Sequence, residues 1–171
     1  KGDKGELFEV LYEGFAPYGI SIMVEAVTDN KQRTTPEIKS LFDKNGGTLG
    51  NPGTVAYQFQ QMGLMTAAKN GKSLDDILLI AADAGALDIE DVGEDVFIYT
   101  NPSDLAKVKE SLKDSLSLTA AELVRKPNTT IVISDKVVAD KILNFMDKIE
   151  NHDDVQKVYA NFDIAENIVT A

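Results

Sequence analysis

The sequence predicts an α+β protein of two small α/β sandwich domains, ββαβαβ-type variants of the ferredoxin-like arrangement, the second inserted into the first. Three observations predict it. Short alternating apolar runs, such as Ile20, Ile22, Val24 and Ala26, interleave with helical stripes such as Ile38, Leu41 and Phe42. Residues 55–126 read as ββαβαβ, while 7–47 followed by 130–163 read as ββα and then βαβ, so one order occurs twice. At 171 residues and 43% hydrophobic content, the chain can bury one core or two small ones. The expected limits are 1–54 with 128–171 for the discontinuous domain and 55–127 for the inserted one.

Taken in order, Leu7–Glu13 places Phe8, Val10 and Tyr12 on one face, and Ile20–Val27 alternates in the same way. The six-residue Gly14–Gly19 connection makes these strands a hairpin. The polar run Thr28–Thr34 is expected to be a loop, followed by a helix with Thr35 as N-cap, Pro36 at N1 and Glu37 in the first turn. Gly46 or Gly47 supplies its left-handed stop. Beyond Asn51-Pro52-Gly53, the runs Val55–Phe59 and Leu64–Ala68 read as a second hairpin turning at residues 60–63. Ser73 caps a helix carrying Ile77, Leu78, Ile80 and Ala81; Asp76 sits three positions on. Val96–Tyr99 is a strand, Pro102 opens a helix, and Ala120–Val124 is a strand closed by Pro127. Thr130–Ile133 is a strand, Ser134 an N-cap, Val138 to Ile149 a helical stripe, and Val155–Phe162 the last strand.

Composition excludes several classes. No apolar run approaches the roughly 18 residues of a membrane-spanning helix, and Lys1–Glu6 is polar where a signal peptide would be apolar. There is no cysteine, which excludes a disulfide framework and fits a reducing, cytoplasmic compartment. Lys and Arg total 17 against 28 Asp and Glu, a net charge of −11. Nucleic-acid affinity comes largely from phosphate neutralisation, so this chain repels a phosphate backbone at long range and any contact must be local.

Six stretches stand out together. They are Glu13-Gly14-Phe15-Ala16-Pro17-Tyr18-Gly19, Thr28-Asp29-Asn30-Lys31-Gln32-Arg33-Thr34, and Gly46-Gly47-Thr48-Leu49-Gly50 with Val55-Ala56-Tyr57-Gln58-Phe59. Gly85-Ala86-Leu87-Asp88-Ile89 and the run from Asp153 to Asp163 complete the set. In this order they resemble the YebC/PmpR family, whose members are named probable transcriptional regulators and are related to mitochondrial translational activators. The resemblance implies the inserted two-domain arrangement. It also implies a basic helical N-terminal domain ahead of this segment; the chain does not begin with Met and is expected to be a fragment without that domain.

No stretch supplies a catalytic set. Asn70-Gly71-Lys72-Ser73 has the end of a phosphate loop, but Thr66 stands where the first glycine is needed. Asp88–Asp95 fails as a calcium loop because Val92 and Tyr99 occupy ligand positions; it reads as a solvated acidic turn. His152, the one histidine, reads as an exposed linker residue, with Asp153 and Asp154 stopping the helix. A hydrolase using these three is the weakest reading. No cofactor or metal is expected. Arg125-Lys126-Pro127 reads as a linker at a domain crossover.

The residues expected to meet a nucleic acid or another partner are Tyr18, Asn30, Lys31, Arg33 and Thr34. Arg33 either binds a phosphate beside the helix N-terminus or pairs internally with Glu13, Glu25 or Asp29. Tyr18 either stacks on a base or packs on the sister domain. The expected function is non-catalytic regulation of gene expression, through binding DNA or ribosomal RNA mainly by the N-terminal domain that the resemblance implies. RNA or the ribosome ranks ahead of promoter recognition; no DNA-reading helix is visible, and the RNP1 aromatic signature for single-stranded RNA is absent as well. A monomer is expected. The alternative is a small-molecule sensor with its ligand between the domains.

Overall fold

The computed structural model describes residues 5–169. The chain divides into two compact units, residues 1–60 with 127–171 and residues 61–126. Both combine antiparallel strands with helices, so the fold is α+β.

Unit 1 begins with β1 (Phe8–Phe15) and β2 (Ser21–Thr28), paired antiparallel from Phe8 opposite Thr28 to Phe15 opposite Ser21. Helix α1 (Lys31–Lys44) returns the chain to a short β3 (Thr48–Gly50) alongside β1. After the second unit come β8 (Ile131–Ile133), α4 (Lys136–Glu150), β9 (Val155–Ala160) and β10 (Phe162–Ile164). The sheet order is β3-β1-β2-β9, and β8 and β10 form a separate parallel pair. The register puts Val10, Tyr12, Ile22, Val24 and Ala26 toward Ile38, Phe42, Ile142, Phe145 and Ile149 in one core. Phe42 and Phe145 meet edge to face, 5.1 Å between centroids. A Cβ on Gly47 would press on the Phe15 carbonyl and the Phe145 ring, so only glycine lets β3 approach this closely.

Unit 2 comprises β4 (Phe59–Ala68), α2 (Leu74–Ala84), β5 (Asp88–Asp91), β6 (Asp95–Thr100), α3 (Leu105–Leu112) and β7 (Ser117–Pro127). Its sheet order is β5-β6-β4-β7. Met65, Ala67, Val96 and Ile98 face Ile77, Ala81, Val108 and Leu112 in a second core. The order βαββαβ is the ferredoxin-like one.

Several elements differ from the sequence reading. The expected hairpin turning at residues 60–63 is not formed: most of its first strand, Val55–Phe59, is a 3-10 turn at Ala56–Gln58, and Phe59–Ala68 is one continuous strand, β4. Gly63 does not turn the chain; a Cβ there would collide with Thr100 and Leu105, so this glycine marks a close approach inside a strand. The acidic run is not merely a turn: Asp88–Asp91 is an edge strand with Ile89 packed against the core. Asp88 and Glu90 alternate with Ile89 as its polar face, which suits an exposed sheet edge. Helix α1 starts four residues before Thr35, and Asn30 is its cap. Pro36 lies inside it on the exposed face, at the cost of the bond to the Gln32 carbonyl. Asp135, not Ser134, caps α4, its carboxylate accepting from the N–H groups of Val137 and Val138. Arg125-Lys126-Pro127 belongs to β7.

Candidate functional site

Unit 1 holds two polar clusters, and the residues singled out in the sequence fall in the first of them and at two exposed positions. The first cluster holds the start of α1. Asn30 has extended backbone, and its side chain accepts the Arg33 N–H at 3.2 Å; its own N–H donates to Thr28 Oγ1 at 2.9 Å. Thr34 is fully buried, with its Oγ1 2.7 Å from Asp154 Oδ2 and 2.7 Å from Thr28 Oγ1. Arg33 spreads its guanidinium over the same group: Nη2 reaches Asp154 at 2.9 Å, and Nη1 reaches Asp29 at 3.2 Å. Of the internal partners considered for Arg33, Asp29 is therefore realised, and Asp154 is the one the sequence did not suggest. It lies 121 residues away, with no local signal to link them.

The electrostatics follow the geometry. Partial burial pushes the Asp154 carboxyl up, but hydrogen bonds from Thr34 and Arg33, with the charge of Arg33, outweigh it. The net result lies below the ordinary carboxylate value. Hydrogen bonds to Asp154 and Asp29 hold Arg33 above its ordinary value.

His152 is not an exposed linker residue. Its side chain is 13% exposed, its Nε2 bonds Glu37 at 2.8 Å, and its Nδ1 accepts the Asp154 N–H at 3.0 Å. One hydrogen on Nε2 satisfies both bonds. Glu37, His152 and Asp154 bring ligand-type atoms within 4.8 Å of one another. Each already has a protein partner, and Arg33 stands beside both carboxylates, 4.0 Å from Glu37 and 2.9 Å from Asp154. The guanidinium supplies positive charge beside both carboxylates.

The second cluster was missed in the sequence. Glu13 is 5% exposed, and its carboxylate accepts three backbone N–H groups. Gly53 donates to Oε2 at 2.9 Å; Val55 and Ala56 donate to Oε1 at 2.9 and 2.8 Å. Gln58 Oε1 then accepts from Ser21 Oγ at 3.0 Å and from Asn161 Nδ2 at 3.1 Å, while Asn161 Oδ1 accepts the Ser21 N–H. These bonds fasten residues 53–58 onto the sheet face opposite the helices. The signal was present as a run of unpaired donors after Pro52 and a carboxylate in the middle of an apolar strand.

Two expected residues keep free side-chain surface. Tyr18 is 55% exposed, and Lys31 is exposed with Nζ 4.9 Å from the Phe8 ring centroid. They lie at opposite ends of the β1–β2 hairpin, about 23 Å apart along eight-residue strands. The structure thus gathers Asn30, Lys31, Arg33 and Thr34 and leaves Tyr18 elsewhere. Asn70 and Gly71 both have positive φ in the turn before α2, where Ser73 caps the helix by accepting the Asp76 N–H at 3.1 Å. Asp75 and Asp76 fill that helix N-terminus with negative charge, which opposes a phosphate there. Among the described residues, no helix is long and apolar enough to cross a membrane.

Known proteins place this geometry. Residues 7–162 match the family described as TACO1/YebC second and third domain. A probable transcriptional regulatory protein of Sulfurihydrogenibium sp. is 47% identical over 163 residues, covering 94% of this chain and 65% of that protein. One of Syntrophomonas wolfei is 38% identical over 99% of this chain and 68% of its own length. The crystal structure of a conserved hypothetical protein from Aquifex aeolicus superposes with a TM-score of 0.88 at 39% identity, over 98% of this chain and 70% of that one. The chain spans about two thirds of the length of such relatives, 65% in the first case. The chain belongs to the TACO1/YebC family and matches its second and third domains.

Proposed function

We propose that this chain is the partner-facing body of a regulator of gene expression that acts by binding nucleic acid or the ribosome, without catalysis. The observation that carries the reading is the family match over residues 7–162, to relatives named probable transcriptional regulatory proteins. The internal bonding of the candidate residues supports a binding role over a chemical one. His152 and Asp154 are engaged with Glu37, Arg33 and Thr34, so neither is a free base. The net charge of −11 assigns most phosphate affinity to the basic segment that relatives of greater length are expected to carry. Tyr18 and Lys31 remain the members of the expected contact set with side chains open to a partner; Arg33 would first have to leave Asp154.

The experiment is crosslinking of the protein in cells, followed by sequencing of the bound nucleic acid. Ribosomal RNA is the expected enrichment. Promoter fragments would replace the ribosomal reading with a transcriptional one, and no enrichment over a mock sample would overturn binding altogether.

A further inference from the structure

Four segments meet at the end of the unit 1 sheet marked by Phe15 and Ser21. The β1–β2 tip is closed by the Ala16 N–H to the Ile20 carbonyl at 2.8 Å, and Gly46 of the α1–β3 turn lies against Pro17. Residues 53–58 are bound there by Glu13 and Ser21. Asn128 joins them, its N–H donating to the Gln58 carbonyl at 2.8 Å and its side chain to the Tyr57 carbonyl at 3.1 Å.

The composition of this end is unlike the rest of the chain. Residues 14–24, 44–60 and 127–134 contain no Asp or Glu, although the protein has 28, and Lys44 is their one cation. The nearest carboxylate in these strands, Glu13, is buried and spent on backbone N–H groups. Two tyrosines project here. Tyr57 is 74% exposed, although both neighbours in sequence are held by fixed bonds. Tyr18 is 55% exposed at φ 67°, a conformation that costs a non-glycine residue stability and is not repaid by burial. Asn51, Asn128, Thr129 and Thr130 add exposed amides and hydroxyls around them.

We propose that this end is a binding surface for unpaired RNA bases, with Tyr57 as the principal stacking platform and Tyr18 as a second. The inference rests on the nucleic-acid reading above and gives it a site. An aromatic face stacks on any base, and segments with no carboxylate of their own add little local repulsion to a strand approaching an anionic protein. The surrounding amides and hydroxyls suit base edges and the ribose 2′-OH, which favours RNA over DNA.

The test is fluorescence anisotropy of this 171-residue chain with labelled single-stranded RNA 12-mers of uridine and of adenosine, and with the matching DNA. Wild type is expected to bind RNA with a shallow salt dependence, a log–log slope of about −0.7 for a single phosphate contact such as Lys44. Tyr57→Ala is expected to weaken binding about tenfold and Tyr57→Phe to restore it. Tyr18→Asn should also weaken binding while leaving the melting temperature unchanged or higher, a combination that a packing role would not give. No RNA binding by wild type, equal binding of DNA, a slope steeper than about −2, or indifference to Tyr57→Ala would each overturn the proposal. The in-cell crosslinking experiment is scored separately. Failure of this surface with crosslinking intact would sink the tyrosine site and leave the regulatory reading standing.

Discussion

Glu13 is the residue whose removal should hurt most. Its carboxylate satisfies three backbone N–H groups in a nearly dry position, so Glu13→Ala leaves all three without a partner. The expected loss is about 3 kcal/mol in urea unfolding, with a smaller loss for Glu13→Gln, which keeps one acceptor oxygen. Asp154 gives a pH signature with a definite sign. Its folded value lies below the ordinary 3.8, so its contribution is fully present above that value and is lost as pH falls through the folded one. Asp154→Asn should therefore be less stable than wild type at neutral pH, and the gap should close in acid below pH 3.8. A gap that stays constant from pH 7 to 2.5 would show that the carboxylate's charge plays no part. At this scale the sequence was legible in part. Arg33 and Thr34 were visible as a polar group beside a helix start, and Asp29 as a neighbour. Asp154 and the Glu13 loop were not, because a hydrogen bond across 121 or 40 residues leaves no periodic trace.

Among the elements, α1 separates two accounts of the same motif. The sequence favoured Thr35 as cap because Pro36 suits the first helical position. The structure uses Asn30, and Thr35 Oγ1 instead lies 2.9 Å from the Tyr12 hydroxyl. Asn30→Ala should cost about 1 kcal/mol through lost capping, and amide exchange should rise at Arg33 and Thr34. Thr35→Ala should leave exchange in that first turn unchanged. Apolar period located nearly every helix and most strands, since burial of one face imposes it regardless of distant partners. It failed where glycine had two meanings. Gly63 permits close packing inside β4, whereas Gly85 at φ 106° ends α2 as a left-handed cap. The residue type alone does not distinguish the two. Asp88–Asp91 was obscured in another way: an edge strand displays its charges outward, and only Ile89 carries the core signal.

For the whole molecule, the decisive quantity is charge and its distribution. A protein of net charge −11 that carries whole stretches without carboxylates concentrates its negative charge in the remaining sequence. The α+β class and the two-unit character were legible because each unit carries its own apolar pattern. The order of unit 2 was misread as ββαβαβ, through taking the 3-10 turn at Ala56–Gln58 for a strand and overlooking β5. The motif residues mostly serve the fold: Glu13, Asn30, Arg33, Thr34, Gln58 and Asn161 tie loops and helix starts to one sheet. Among the motif residues that stay exposed are Tyr18, Lys31 and Tyr57.

The central claim is that this protein works by holding nucleic acid, and in-cell crosslinking of the protein tests it most directly. The account expects discrete ribosomal RNA positions to be enriched, with the signal weakened when Tyr57→Ala is introduced at unchanged protein abundance. A map indistinguishable from a mock sample, recovered from folded and abundant protein, would contradict it.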